Sequence, residues 1–425
     1  MRNLLSIWFG KLLSRGLQAS GRHGAALPGL IVERLYPGFL HSMLEQLPEG
    51  VIIVSGTNGK TTTTKMIAEL LKSQDKRVLT NRTGGNFVRG VISTLIQAAS
   101  LGGKLKYDVA VLELDEAYAA KFVNLHHPRA VVALNVTRDQ LDRFGELDTT
   151  AKLLERVVEK TIKLVVLNDD DNRTAAMRPP KHVEPVYFGA SRELAAQFPN
   201  DEQLYGSGQR AVERHQRLVE LTGAGESQVS FRIGPKTYTT SLLIDGQHNG
   251  LNAAAALVLV IGLYSDIDKQ NLISALGGIR PAFGRGEVIN YKGRRLILQL
   301  VKNPASFGQA LHVLDIHKPK AVAIIINDNH ADGRDVSWLW DVDFAALKKP
   351  KVPILTAGLR AYDMAVRLKY DQIEAEANPR LKKLLGGIET KVKPGQTAII
   401  YTTYTAMLAV RRLIGKQTKL ASVYE

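Results

Sequence analysis

The chain has 425 residues, 45% of them hydrophobic, which is enough for two or three domains with sizeable cores. The absence of cysteine excludes disulfides, thiolate catalysis by this chain and any cysteine-ligated zinc or iron–sulfur site. A formal net charge of +15 calls for anionic company, be it nucleotide, phosphorylated substrate, anionic membrane surface or nucleic acid. No apolar run reaches the roughly 18 to 20 residues of a spanning helix.

At the start of the chain, Leu4, Leu5, Trp8, Leu12 and Leu13 recur at helical spacing, and the apolar run breaks at Lys11 without a small-residue cleavage site after it. This predicts an amphipathic N-terminal helix rather than a signal peptide. Its apolar stripe is expected to dock on its own domain, with contact to lipid headgroups as the alternative.

Short β-branched runs then alternate with longer helical patterns, the sign of parallel α/β units. Strands are predicted at 51–55, 109–114, 130–135 and 164–168. Ligands of such sheets bind beyond the carboxyl ends of the strands. The first of these strands runs into Gly56-Thr57-Asn58-Gly59-Lys60-Thr61-Thr62, followed by a helix through Met66, Ile67, Leu70 and Leu71. This is a phosphate cradle: glycines let backbone N–H groups converge, the helix N-terminus favours anions, Lys60 reaches the outer phosphates and Thr61 can ligate magnesium. Position 54 is Val, so the glycine spacing is tighter than in the common P-loop.

The strand at 109–114 leads into Glu113-Leu114-Asp115-Glu116. Glu113 terminates the apolar run and is the expected magnesium ligand, whereas Asp115 and Glu116 can be read as a solvated helix cap. The polar segment 135–146 reads equally as part of a site or as a salt-bridged surface helix. Residues 178–245 are weakly patterned and are expected to form an insertion with short antiparallel strands at 229–233 and 238–244. A helix over 249–263 and a glycine-containing linker over 277–286 precede a second α/β domain, with strands at 296–301, 321–326, 352–356 and 397–402. The expected boundaries are an N-terminal helical segment 1–45, a central domain 46–280 and a C-terminal domain 281–425.

These motifs resemble the Mur ligase superfamily, whose ATP loop has the compact Gly-Thr-x-Gly-Lys-Thr form of Gly56 to Thr61. Gly246-Gln247-His248-Asn249-Gly250-Leu251-Asn252-Ala253-Ala254-Ala255 is similar to the superfamily helix whose asparagines, here Asn249 and Asn252, approach the adenine side of ATP. Arg285 is similar to the arginine that meets the γ-phosphate. Segments 138–146, 302–305, 327–338 and 404–408 narrow the resemblance to the MurT family, the ligase subunits of lipid II isoglutaminyl synthases.

That resemblance implies an α/β fold: a Mur ligase-like central P-loop ATPase domain with a parallel sheet, and a C-terminal Rossmann-like domain. It implies ATP and Mg2+ as cofactors, with Gly56, Thr57, Asn58, Gly59, Lys60, Thr61, Thr62, Asn249, Asn252 and Arg285 at the nucleotide and Thr61 and Glu113 on the metal. Lys60, Glu113 and Asp335 are the implied catalytic set. Asp335, in Gly333-Arg334-Asp335-Val336-Ser337-Trp338, would complete a Cys-His-Asp triad whose other members lie on a GatD-like class I glutamine amidotransferase partner, in a heterodimer or higher assembly. Read without the resemblance, Asp335 is a loop residue capping a helix. The implied activity is amidation of the D-glutamate α-carboxylate of the lipid II stem peptide to D-isoglutamine, at the cytoplasmic face of the cell membrane.

Members of this family commonly carry a four-cysteine zinc ribbon in the central domain. This chain has no cysteine, and His182 and His215 show no ligand spacing, so a metal-free form of the 178–245 region and no zinc site are expected. The competing enzyme reading is an amino-acid-adding Mur ligase or a folylpolyglutamate synthase-like peptide ligase. A nucleic-acid-binding ATPase would need a concentrated basic patch with interleaved aromatics, and Lys382-Lys383 and Arg411-Arg412 are only short pairs on helix faces.

Overall fold

A computed structural model describes residues 2–19, 27–81, 87–138, 147–195, 197–198, 215–225, 228–244, 246–281, 284–349, 351–418 and 420. Three helices open the chain, α1 (Arg2–Ala19), α2 (Leu27–Leu35) and α3 (Phe39–Leu44). They lead into a nine-stranded sheet of order β2-β3-β1-β4-β5-β6-β7-β8-β9. Its strands are β1 (Val51–Ser55), β2 (Val78–Thr80), β3 (Val109–Glu113), β4 (Ala130–Ala133), β5 (Leu164–Asn168), β6 (Pro185–Ala190), β7 (Arg217–Ala224), β8 (Gln228–Ile233) and β9 (Lys236–Ser241).

Strand β1 is wholly buried and pairs in parallel with β3 on one side and β4 on the other. The sheet order therefore reverses at β1, and the crevice beyond its carboxyl end is the switch point where open α/β sheets bind ligands. Alternate residues of β1 serve opposite cores. Ile52 and Val54 pack with helix α4 (Lys60–Lys72), and Val51 and Ile53 pack with α1 to α3 and with α5 (Val88–Ala98), α6 (Glu116–Phe122) and α7 (Leu147–Glu159).

The region 178–245 does not stand apart as an insertion. β6 and β7 continue the parallel sheet, and only β7-β8-β9 form the antiparallel extension. The weak pattern has a local cause: β7 mixes half-buried with buried positions and β9 half-buried with exposed ones, instead of forming solid apolar runs. His215, beside β7, is tied to buried Asp169 (2.9 Å) and stacked on Tyr187 at 4.0 Å, while Arg217 bridges Asp169 and Asp170.

Helix α8 (His248–Leu263) is apolar on all sides and buried along nearly its whole length between α4 and strands β5 to β7. Helix α9 (Lys269–Gly277) follows. The expected linker is shorter than its glycines indicate, because Arg285 already belongs to a strand. The second sheet has the order β10-β11-β15-β12-β13-β14. Its strands are β10 (Arg285–Tyr291), β11 (Arg294–Leu300), β12 (Ala321–Ile325), β13 (Ile354–Ala357), β14 (Glu376–Ala377) and β15 (Thr397–Thr402). β10 and β11 form a hairpin and the remaining pairs are parallel. Helices α10 (Pro304–Leu311), α11 (Val313–His317) and α12 (Ala361–Tyr370) cover one face, and α13 (Leu381–Lys391) and α14 (Tyr404–Ile414) the other.

The N-terminal helix forms as expected but faces the other way. Ser6, Ile7, Gly10 and Ser14 are buried against the domain, whereas Leu5, Trp8, Phe9 and Leu12 point outward. The close approach of α1 to α5, where a side chain at Gly10 would meet Ile96 at 2.9 Å, selects small residues for the packed face.

Candidate active site

The phosphate loop leaves β1 into the switch-point crevice. Gly56 has φ +130° and Gly59 φ +87°, conformations that L side chains rarely adopt, and added Cβ atoms would meet the Asn135 backbone at 2.9 Å and Asn252 Oδ1 at 2.3 Å. Asn135, just past β4, holds the loop in shape: its carbonyl accepts from Thr57 N (2.9 Å), its Oδ1 accepts from Asn58 N (2.8 Å) and its Nδ2 donates to Asn58 O (3.1 Å). Thr62 is buried in the first turn of α4. On α8, Asn252 Nδ2 donates to Asn249 Oδ1 (3.0 Å), and both residues are buried beside the loop.

Lys60 begins α4 and is buried. Its ammonium donates to Gly56 O (2.5 Å) and lies 3.7 Å from Glu116 Oε2. Glu116 is only 2% exposed, so the solvated cap expected there is instead an internal counter-charge. Burial pushes its carboxyl above the usual carboxylate range, against the pull of Lys60. Its Oε1 lies 3.4 Å from the Thr57 hydroxyl, giving the loop a third anchor.

Thr61 Oγ1 donates to Glu113 Oε1 (2.9 Å), and Glu113 is held at the end of β3 by a two-way bond with Asn81, Asn81 Nδ2 to Glu113 O (2.7 Å) and Glu113 N to Asn81 Oδ1 (2.8 Å). A hydroxyl and a carboxylate oxygen at one point are hard donors of the kind magnesium takes, so these residues fit that ion.

The second domain closes onto the same loop. Arg285 Nη2 lies 3.3 Å from Thr61 Oγ1, its position set by an irregularity in the hairpin register between Arg285 and Glu287 that redirects the strand end. Burial pulls the Arg285 guanidinium below its ordinary range and Glu113 opposes the shift. Lys302 Nζ donates to Thr57 O (2.8 Å), and Asn303 Nδ2 to Asn58 Oδ1 (3.1 Å). Asn303 also caps α10 reciprocally with Ser306. His248, at the start of α8, is driven down to about 4 by burial, with Arg285 and His312 adding to the effect.

Asp335 lies apart from this cluster. It is half-buried, and its Oδ1 accepts from Ser337 N (2.8 Å) at the entry to the 3-10 turn Ser337–Asp341. The preceding loop is pinned by buried Asp332, which accepts from Thr405 N (2.6 Å) and the Thr405 hydroxyl (2.5 Å) at the start of α14. Beside the turn, Trp340 meets Tyr370 edge to face at 5.1 Å, and Arg367 lies over the Trp340 ring. Tyr362, Val366 and Tyr370 follow one face of α12, and all three are exposed, as is Trp340. Arg138, at the end of the loop-bracing segment, reaches Asp341 at 3.5 Å, so the two regions touch.

The structure thus gathers Gly56 to Thr62, Glu113, Asn249, Asn252 and Arg285 and sets Asp335 elsewhere. Sequence reasoning did not assign Asn81, Lys302 or Asn303 to the site, read Glu116 as a solvated cap, and left Asn135 open within the polar segment 135–146. The available signal was their position just past strand ends. Residues 139–146, singled out for their charges, lie outside the described residues. One further polar group, His41, Glu45 and His126, brings ligand atoms within 4.8 Å of one another. It precedes β1 and β4 and so sits at the sheet edge opposite the loop.

Residues 54–260 match the Mur ligase middle domain, and residues 300–407 match the MurT ligase C-terminal domain. The chain is 29% identical over 450 aligned residues to the lipid II isoglutaminyl synthase (glutamine-hydrolyzing) subunit MurT of Streptococcus pneumoniae, covering 98% of each chain. Among solved structures it resembles MurF from Acinetobacter baumannii (TM-score 0.69, 20% identity, 91% of this chain and 80% of that one). It also resembles MurF ligase from Thermotoga maritima in complex with ADP (TM-score 0.67, 18% identity, 91% and 84%).

Proposed function

The chain belongs to the MurT branch of the Mur ligases, and from that premise we propose that it is the ATP-dependent subunit of a lipid II-amidating enzyme. It activates the D-glutamate α-carboxylate of the stem peptide as an acyl phosphate. Ammonia released from glutamine by a GatD-like partner then displaces phosphate and leaves D-isoglutamine. The work is done at the cytoplasmic face of the membrane.

The observation that carries the ligase reading is the meeting at Thr61 of Glu113 from the first sheet and Arg285 from the second, next to buried Lys60. A carboxylate is a poor electrophile, so the demand falls on phosphoryl transfer, where charge spreads over the oxygens of the group in flight. Lys60 and Arg285 are preorganised cations for that charge, in a site closed by both domains. Glu116 holds the Lys60 ammonium in place, and Asn135 keeps the loop N–H groups convergent. A magnesium ion on Thr61 and Glu113 would neutralise charge between the outer phosphates. Asn249 and Asn252 border the loop where the nucleoside is expected.

Two features support the division of labour with a partner. Asp335 is rigidly presented through Asp332 and Thr405, yet the described residues place no histidine or nucleophile in contact with it, consistent with a triad shared across an interface. The exposed Trp340, Tyr362, Val366 and Tyr370 beside it have the aromatic composition of a docking surface.

The test is to supply the purified chain with ATP and a lipid II substrate, with glutamine plus partner, with ammonium alone, or with free amino acids. Amidation from glutamine only with the partner, and from ammonium without it, is the expected result. Amino-acid addition without a partner would replace this reading with the peptide-ligase one.

A further inference from the structure

In α1 the usual arrangement of a surface helix is inverted. Apart from Ile7 the packed face is filled by small residues, Ser6, Gly10 and Ser14, and Ser14 turns its hydroxyl back to Gly10 O (2.8 Å). The largest apolar side chains face outward, Leu5 at 58% exposure, Trp8 at 51%, Phe9 at 46% and Leu12 at 69%. Their i, i+3, i+4, i+7 spacing makes one continuous stripe. Leu101 extends it: its carbonyl accepts the Trp8 indole N–H (2.9 Å), and its own side chain is 66% exposed. Contiguous apolar surface of this kind on a folded chain marks a surface that something covers.

Charge says what covers it. The first 32 residues contain no acidic side chain, but carry Arg2, Lys11, Arg15 and Arg22. Lys11 reaches over the helix edge to Gln97 O (2.9 Å), beside the stripe. Apolar bulk with an indole whose polar end is satisfied, flanked only by cations, matches the boundary between acyl chains and anionic headgroups. A second copy is disfavoured, because a two-fold contact would set one acid-free segment against another. No described helix is long and apolar enough to cross a bilayer, so α1 lies on the surface.

We propose that the outward stripe of α1 is an interfacial anchor for an anionic lipid bilayer. It rests on the proposed function only in that a lipid-linked substrate gives such an anchor a use.

The experiment is co-sedimentation of the full chain with vesicles of phosphatidylcholine alone or with added phosphatidylglycerol, comparing wild type with the doubly substituted Trp8→Glu, Leu12→Glu chain. Circular dichroism checks that the variant remains folded, and a second variant, Leu5→Ser, changes the stripe with less risk. Expected are binding to the phosphatidylglycerol vesicles, weakening in high salt, and a loss of about tenfold or more in the double variant with a smaller loss in Leu5→Ser. Amidation of a detergent-solubilised substrate should not change. Wild-type chain remaining in the supernatant, or equal binding by all three proteins, would overturn the anchor. So would a stripe-dependent dimer, or a stripe-dependent complex with the glutaminase, that forms without vesicles. Vesicle binding is read without any turnover, so failure of the amidation reading and failure of the anchor are seen separately.

Discussion

The phosphate loop and the Asp335 turn are built on opposite plans. At the loop, polar groups are answered within the chain: buried Lys60 by buried Glu116, and the half-buried Thr61 hydroxyl by Glu113 and by Arg285 brought in from the second sheet. At the turn, one half-buried carboxylate is bonded to its own backbone, and the turn that follows carries the exposed Trp340 against Tyr370. The first plan describes a site that is chemically complete apart from its small ligands. The second fits the proposed role of a fragment of a site, presented for a partner protein to complete.

Four measurements would break or sharpen that contrast. Lys60→Ala should take amidation to background from either nitrogen source, while the partner's glutamine hydrolysis survives; parallel loss of both would erase the distinction between the two regions. Asp335→Asn should lower glutamine-dependent turnover by up to about 10^4, the loss seen when a triad acid is neutralised, and leave ammonium-dependent amidation near wild type. Trp340→Ala, which removes an exposed anchor next to Asp335, should weaken association with the glutaminase by about 30-fold, or ~2 kcal/mol, in a titration calorimetry measurement.

The smallest effect concerns pH. The folded-state value for His248 is about 4, below the ordinary histidine value, so the folded state resists protonation that the unfolded chain accepts. The stability it contributes is fully present above about pH 6.5 and is lost as pH falls toward 4. A single proton limits the slope to ~1.4 kcal/mol per pH unit, and because the side chain retains some surface exposure the observed slope should fall below that. His248→Gln should flatten the decline of urea midpoints over that window, and an unchanged profile would show that other groups set it.

Much of the first plan was legible in the sequence because a phosphate loop is local. Strand, glycines, lysine and helix are contiguous, and Gly56 to Thr61 could be read directly. Glu116 was not legible, since an acidic residue at the start of a short helix looks the same whether it caps that helix in water or neutralises a lysine from another element. Strand β10 was hidden by the glycines around Arg285, which read as a linker. The periodicity of α1 gave the stripe but not its direction, because spacing alone does not say which face of a helix is packed. Only the fit of Gly10 against Ile96 decided that.

The contacts that join the second sheet to the phosphate loop, Lys302 on Thr57, Asn303 on Asn58 and Arg285 on Thr61, all attach within residues 57–61. Any arrangement that separates the second sheet from the loop has to break all three. At about 1 kcal/mol apiece, the open form is disfavoured on the order of a hundredfold. Side chains that never touch the reacting carboxylate thus set how tightly the two sheets are clasped over the phosphate loop.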